Sequence, residues 1–279
     1  MRNGFTFKNQ HSSEFNVTVK TKSRPIRPSR KSYMTDVPCR DGVYDFSSSN
    51  EHGREFYNDR IFSVSIGVCA DNLEQMQYIL SKLSLWLCGS GDLIFDDIPL
   101  IVWKGRIIDE IIYMPENDGR KAMLEVSFRV EPFGYCIFDN SGPVLGDVIW
   151  LNSNIPIGMD VYYSFSLSGN GTVNFINCGD RPISPVISVA DANGKIKFTL
   201  GNKSLTFTAK GNTEVDFEKH IVKCDEKSVY ISGEFFEFQP GSNMLGVESQ
   251  NAVSLRLTFT PKFMYGAVFD DVDWGDDDA

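Results

Sequence analysis

The chain has 279 residues, 42% hydrophobic and 23% charged. That is enough apolar surface for one large or two ordinary packed domains, which excludes a disordered protein. A formal net charge of −10 argues against sequence-independent nucleic-acid binding, which needs cations to neutralise phosphates. The start lacks the apolar run of a signal peptide, and no stretch approaches the roughly 18 apolar residues of a membrane span. A protein made in the cytoplasm, with no membrane insertion, is expected.

The first unusual segment is cationic. Lys20, Lys22, Arg24, Arg27, Arg30 and Lys31 occur without an intervening acid, and Pro25 and Pro28 make the stretch extended. With only Tyr33 nearby it is a poor stacking platform for nucleic acid, and a solvated or interface-forming loop is favoured. From about Lys22 to Asn58 no periodic core face is found. A compact domain rarely leaves so many residues structureless, and pairing with another chain would satisfy their backbone groups. Asp41-Gly42 is a turn signal inside this segment.

Next, Phe62, Val64, Ile66 and Val68 alternate as one face of a strand. A helix is predicted from Asp71 to Leu87. Asp71 is its N-cap with Glu74 three residues later, and Leu73, Met76, Leu80, Leu83 and Leu87 form its buried stripe. Gly89 ends it. Cys88-Gly-Ser-Gly91 is glycine-rich, but it follows a helix and precedes a strand, the wrong order for a phosphate cradle. Leu124, Val126, Phe128 and Val130 mark another strand, preceded by a hairpin signal at Asp118-Gly119.

Ser141-Gly142-Pro143 breaks the composition, and the chain then reads as β throughout. Asn193-Gly194 is a second hairpin signal, beside Ile196, Phe198 and Leu200. Gly201-Asn202 and Pro240-Gly241 mark turns, and Leu255, Leu257 and Phe259 a late strand. The predicted class is mainly β: an α+β domain with one main helix over residues 1–140, then an all-β sandwich over 141–266. Residues 267–279 form an acidic tail with six aspartates.

The search for chemistry finds little. His11, His52 and His220 lie far apart without metal-ligand spacing. Asp96-Asp97 and Asp109-Glu110 are adjacent pairs that point to opposite faces of a strand. The tail's Asp271-Val-Asp273 lacks the closing Glu of a calcium loop. Six scattered cysteines (Cys39, Cys69, Cys88, Cys136, Cys178 and Cys224) are expected to be reduced and mostly buried. No catalytic residue, metal or cofactor is assigned.

Order and spacing carry more. Arg60-Ile-Phe-Ser-Val-Ser-Ile66 leads into the capped helix, which ends in Leu85-Trp-Leu87. Gly91-Asp-Leu-Ile-Phe-Asp-Asp97, Trp103-Lys-Gly-Arg-Ile107 and Val126-Ser-Phe-Arg-Val-Glu-Pro-Phe133 follow. Later come Asn177-Cys-Gly179, Pro185-Val-Ile187, Val215-Asp-Phe217, Gly233-Glu-Phe-Phe236 and Pro240-Gly-Ser-Asn243. Over about 200 residues this order resembles the distal tail proteins of siphophages. The tryptophan usual near the last strand in that family is not obvious, with Phe263 or Tyr265 nearby, and the acidic tail is not a family feature.

The resemblance implies a galectin-like second domain and a hexameric ring formed by the first. It implies a belt hairpin, about 22–58, that clasps a neighbour, with Arg24, Ile26, Tyr33, Val37, Val43, Tyr44, Phe46 and Phe56 as candidate interface residues. It implies a place at the tail tip or baseplate of the virion. Its partners there would be the tail tube protein, a tail-associated hub or lysin protein, and receptor-binding or baseplate proteins, with genomic DNA only in transit through the channel. The competing reading is a carbohydrate-binding module, with Trp150, Tyr162 and Tyr163 as a candidate sugar platform on the second domain. A tail-associated hydrolase has the least support.

Overall fold

The computed structural model describes residues 4–39, 41–47, 49, 55–137 and 163–266. Two compact units divide the chain: Met1–Gly134 together with Met264–Gly266, and Tyr135–Phe263. The predicted boundary near residue 141 lies outside the described residues, as does the acidic tail.

The first unit is built on one antiparallel sheet. Its strands run in the order Gln10–His11, Phe5–Phe7, Ser90–Phe95, Ile98–Ile107, Lys121–Val130, Arg60–Cys69 and Thr18–Ser23. Strict alternation makes the central pair. Phe62, Val64 and Ile66 sit opposite Phe128, Val126 and Leu124, and all six are buried. The Asp118-Gly119 hairpin forms as predicted, with both residues at positive φ between Tyr113–Glu116 and Lys121–Val130.

The predicted helix is Leu73–Trp86, with its cap one residue later than expected. The Asn72 carboxamide oxygen accepts from the Gln75 amide at 2.8 Å, and the Asp71 amide donates to the Gln75 side chain at 2.8 Å. Asn72 and Gln75, rather than Asp71 and Glu74, satisfy the first turn. Leu73 is therefore in the solvent-facing first turn and is exposed, and Trp86 joins Met76, Leu83 and Leu87 on the buried face. Its indole lies between Phe5 (5.2 Å between ring centres) and Phe15 (4.5 Å) and donates to the Phe7 carbonyl at 2.9 Å.

The second unit is all antiparallel β. Two long strands, Val186–Leu200 and Lys203–Asp216, form its spine. The first half of Val186–Leu200 pairs with Val253–Thr258, which in turn pairs with Tyr163–Leu167. The second half pairs with Gly241–Ser249. A bulge between Val189 and Ala192 bends the spine so that its halves serve two layers. Phe175, Phe198, Phe207, Phe217 and Phe238 fill the core between them. Asn193-Gly194 is not a hairpin. It stays within the strand, paired with Lys210 and Ala209, and the turn comes at Gly201-Asn202. The ladder on both sides outweighs the local turn preference.

All six cysteines are free, but only Cys136 and Cys178 are buried; Cys39, Cys69 and Cys88 are exposed. The expectation of mostly buried thiols fails because three of them lie at the margins of the first unit's strands and helix or in the arm. Burial, with a smaller effect of Cys136, pushes the Cys178 thiol up to about 12.

Candidate functional site

The feature that stands out is the segment from Lys22 to Asn58, which forms a self-paired arm. At its base the Asn58 amide donates to the Ser29 carbonyl at 2.9 Å and the Lys31 amide to Phe56 at 2.8 Å, around a bridge between Arg30 and Tyr57. Farther out Met34–Asp36 pairs with Val43–Asp45. The Phe46 amide donates to the Tyr33 carbonyl at 2.8 Å, and the Tyr33 amide to the Ser47 hydroxyl at 2.9 Å. Cys39 and Gly42 turn the tip with positive φ. Ser47 also donates its amide to Asp45, and its hydroxyl helps hold that carboxyl below its usual range.

Register and alternation sort the arm's side chains. Thr35 stands opposite Tyr44, and Tyr33 is one step along opposite Phe46, so Tyr33, Tyr44 and Phe46 share a face. Met34, Asp36, Val43 and Asp45 share the other. The Tyr44 and Phe46 rings stack at 6.0 Å. Tyr33 is 58% exposed, Phe46 51% and Tyr44 43%; Ile26, Val37, Val43 and Phe56 are exposed too. A two-stranded ribbon has no second layer to cover such residues, and alone it is marginally stable. Contiguous exposed apolar surface of this kind marks an interaction surface. Met34, 56% exposed, lies on the opposite face with Val43 and was not foreseen; its position opposite Asp45 becomes apparent only with the register.

Arg24 is held by side chains of the first unit's sheet and of its C-terminal segment. Its guanidinium binds Asp97 through both terminal nitrogens, donates from Nε to the Tyr265 hydroxyl at 2.8 Å and lies over the Phe95 ring at 4.7 Å. Hydrogen bonding to Arg24 holds the Asp97 carboxyl below its usual range, against the opposing effect of burial. Arg60, 2% exposed, ties the same root. It donates to the carbonyls of Pro25 (3.2 Å), Pro132 (2.6 Å) and Met264 (2.6 Å), over the face of Trp103 at 4.4 Å. Neither Asp97 nor Arg60 carried a sequence signal for this role, since their partners lie up to 204 residues away.

Four of the six cations of the basic stretch pair with three carboxylates. Lys22 pairs with Glu125, Arg24 with Asp97, and Arg27 and Arg30 with Glu55. Glu55 also accepts from the Tyr57 hydroxyl at 2.8 Å. These pairings brace the arm and weaken any reading of the stretch as an anion-binding surface.

His11, Ser13 and Asp96 come together in a way that imitates a hydrolytic triad. Nδ1 of His11 lies 2.6 Å from the Ser13 hydroxyl and Nε2 lies 3.0 Å from Asp96. The same Nδ1 accepts the Ser13 amide at 3.2 Å, so the imidazole caps the short helix Ser12–Phe15. Its lone pair is committed to that cap. Asp96 and Asp97, adjacent in sequence, go to His11 and Arg24 respectively. His220 stacks on Phe235 at 4.9 Å; His52 lies outside the described residues.

Of the three candidate sugar-platform residues, Trp150 and Tyr162 lie outside the described residues. The Tyr163 ring packs against Phe165, Phe175 and Phe259, and its hydroxyl accepts the Ile176 amide at 3.2 Å. It serves the core rather than an exposed platform.

Comparison with solved structures shows a likeness to the crystal structure of the SPP1 Dit (gp 19.1) protein. The TM-score is 0.62 at 14% identity, covering 92% of this chain and 98% of that one. The chain has the Dit fold. SPP1 Dit is described as a paradigm of the hub adsorption apparatus in phages that infect Gram-positive hosts. Two structures of the phage P2 baseplate in its activated conformation, with Ca and with Sr, align at TM-scores of 0.41 and 0.40 and 6% and 7% identity. Each alignment covers 92% of this chain and 98% of the other, and at those scores it adds nothing to the Dit likeness. No protein-family model matches the sequence, and no curated protein matches it.

Proposed function

We propose that this chain is a non-enzymatic structural protein of a phage virion, a ring-forming hub at the tail tip or baseplate. The observation that carries the reading is the arm. It is braced at its root by Arg24 and Arg60, paired at its base and again between Met34–Asp36 and Val43–Asp45, and presents an aromatic face on which Tyr33, Tyr44 and Phe46 are all exposed. The Dit fold supports it. An arm that docks on a different surface of the next copy makes a heterologous contact, and such contacts give a ring when the rotation closes. In this reading six copies of the first unit close the ring, each arm clasping a neighbour, while the second unit is a galectin-like sandwich. The tail tube docks on one side. A tail-associated hub or lysin protein and receptor-binding or baseplate proteins dock on the other, and DNA passes through the channel. The protein is made in the host cytoplasm and ends in the virion.

The mass of the full chain in solution tests this. A hexamer is expected by native mass spectrometry. Replacing residues 31–56 with a short Gly-Ser turn, which the paired ends at Arg30 and Tyr57 can accept, should give monomers that keep both folded units. Rings that persist without the arm would sink the proposal.

A further inference from the structure

The first unit's sheet has a second face, turned away from its core. Phe62, Val64, Val126 and Phe128 point into the core, so alternation sends their strand neighbours the other way. There the register sets Ser90 opposite Arg106, Arg106 opposite Arg129, and Arg129 opposite Ile61. Like charges directly opposite each other on a sheet destabilise it. Both arginines are exposed, and among the described residues neither guanidinium makes a hydrogen bond, an ion pair or a ring contact. Two carboxylates of the same face are already taken, Glu125 by Lys22 and Asp92 by Lys104.

Elsewhere in the same unit arginines are set against aromatic rings. Arg24 lies over Phe95 and Tyr265, and Arg60 over Phe62 and Trp103, at 4.4 to 5.7 Å from the ring centres. A guanidinium is attracted to the negative face of a ring and stacks on it flat, as an ammonium does not. Arg106 and Arg129 present the same chemistry without the rings. The arm presents rings: Tyr33, Tyr44 and Phe46 share one exposed face. The centres of Tyr44 and Phe46 are 6.0 Å apart, and Tyr33 stands across from Phe46 by one strand spacing of about 5 Å. The row from Arg106 through Arg129 to Ile61 spans two such spacings, about 10 Å. The three rings therefore fit on the row, with Ile61, 46% exposed, as its apolar end.

Within one copy the two do not meet, since neither guanidinium touches a ring. Ser23 ends the strand from which the arm departs, and the ten residues from there to Tyr33 allow a reach of up to about 35 Å, enough to leave one sheet and lie on another. We propose that the aromatic face of the arm seats on the Arg106–Arg129–Ile61 row of a second copy of this chain. The inference rests on the ring reading and names the surface that receives the clasp. Arm and row are different surfaces, so the contact is heterologous, as a ring requires. The other exposed apolar stripe of the unit, Tyr78 and Leu85 on the helix, already holds its own cation, with the Lys82 ammonium 4.5 Å from the Tyr78 ring.

The test puts p-benzoylphenylalanine in place of Phe46 in the full chain and mixes isotopically light and heavy copies. After irradiation, mass spectrometry should find crosslinks between copies to peptides that contain Arg106, Arg129 or Ile61. In parallel, the double variant Arg106→Ser with Arg129→Ser should raise the concentration at which rings dissociate about tenfold. Urea unfolding of its protomer should be unchanged or improved, because the like-charge opposition is gone. Crosslinks to the helix stripe or to the second unit, crosslinks confined to one copy, or an unchanged dilution curve for the double variant would overturn this acceptor and leave the hub reading standing. A natural chain that stays monomeric in native mass spectrometry would remove the ring and the acceptor together.

Discussion

Replacing Phe46 with Ser should weaken assembly while leaving the protomer intact. An aromatic side chain offers about 200 Å², and Phe46 is 51% exposed, so docking would remove about 100 Å² of its surface from water. At about 25 cal/mol per Å² that is worth about 2.5 kcal/mol. The serine keeps little of it, so each contact should lose about 2 kcal/mol, a weakening of about 30-fold. Tyr33 and Tyr44, 58% and 43% exposed, bring the upper bound for the aromatic face to about 7.5 kcal/mol per contact. Because Phe46 is exposed in the protomer, unfolding of the protomer should shift by no more than about 0.5 kcal/mol. Mass photometry across a dilution series reads the first quantity and urea denaturation of the diluted protein reads the second. An unchanged dilution curve would refute the docking argument. A large loss of protomer stability would show instead that the ring of Phe46 supports its own chain.

Other substitutions test the scaffold. Asn72→Ala should cost about 1 kcal/mol in urea unfolding, while Asp71→Ala should cost less than about 0.5 kcal/mol; equal effects would put the cap back at Asp71. Gly233→Ala should cost more than about 2 kcal/mol, because φ is +103° and a Cβ would meet the Ser204 carbonyl oxygen at 2.1 Å; a neutral change in melting temperature would contradict that geometry. Arg60→Met should cost about 3 kcal/mol by leaving carbonyls of Pro25, Pro132 and Met264 without their donor, read as a lowered urea midpoint. Asp97→Asn should destabilise at neutral pH and not in strong acid. The Asp97 carboxyl is held low, first by its hydrogen bond to Arg24, so its stabilisation is complete above the unfolded value near 3.9 and is lost as pH falls through the depressed folded value. A gap between the two proteins that persists at about pH 2 would rule out the carboxylate as its source.

Period-two alternation was sufficient to place Arg60–Cys69 and Lys121–Val130, because each strand has one buried and one freer face. The helix was equally plain, but Asp71 and Asn72 both make good caps, and only the hydrogen bond to Gln75 separates them. Asn193-Gly194 misled because turn preference is local, whereas the ladder that overrides it extends over 13 paired positions of the two spine strands. The arm was legible as an absence of core periodicity. Its sidedness was not, since that depends on which residue faces which across the ribbon. Arg24 looked like one more cation of an exposed run; its engagement with Asp97, 73 residues on, leaves no trace in the local sequence.

Met264–Gly266 belongs to the first unit although Tyr135–Phe263 of the second unit precedes it in the chain. A ribosome therefore delivers the Met264 carbonyl and the Tyr265 hydroxyl, partners of Arg60 and Arg24, only after the intervening unit has been made. Until then the root of the arm lacks two of its ties, and a nascent chain stalled before residue 264 holds its arm loosely. Translation order thus delays arm setting until the second unit exists, which keeps fragments truncated within that unit from presenting a correctly anchored arm to finished copies.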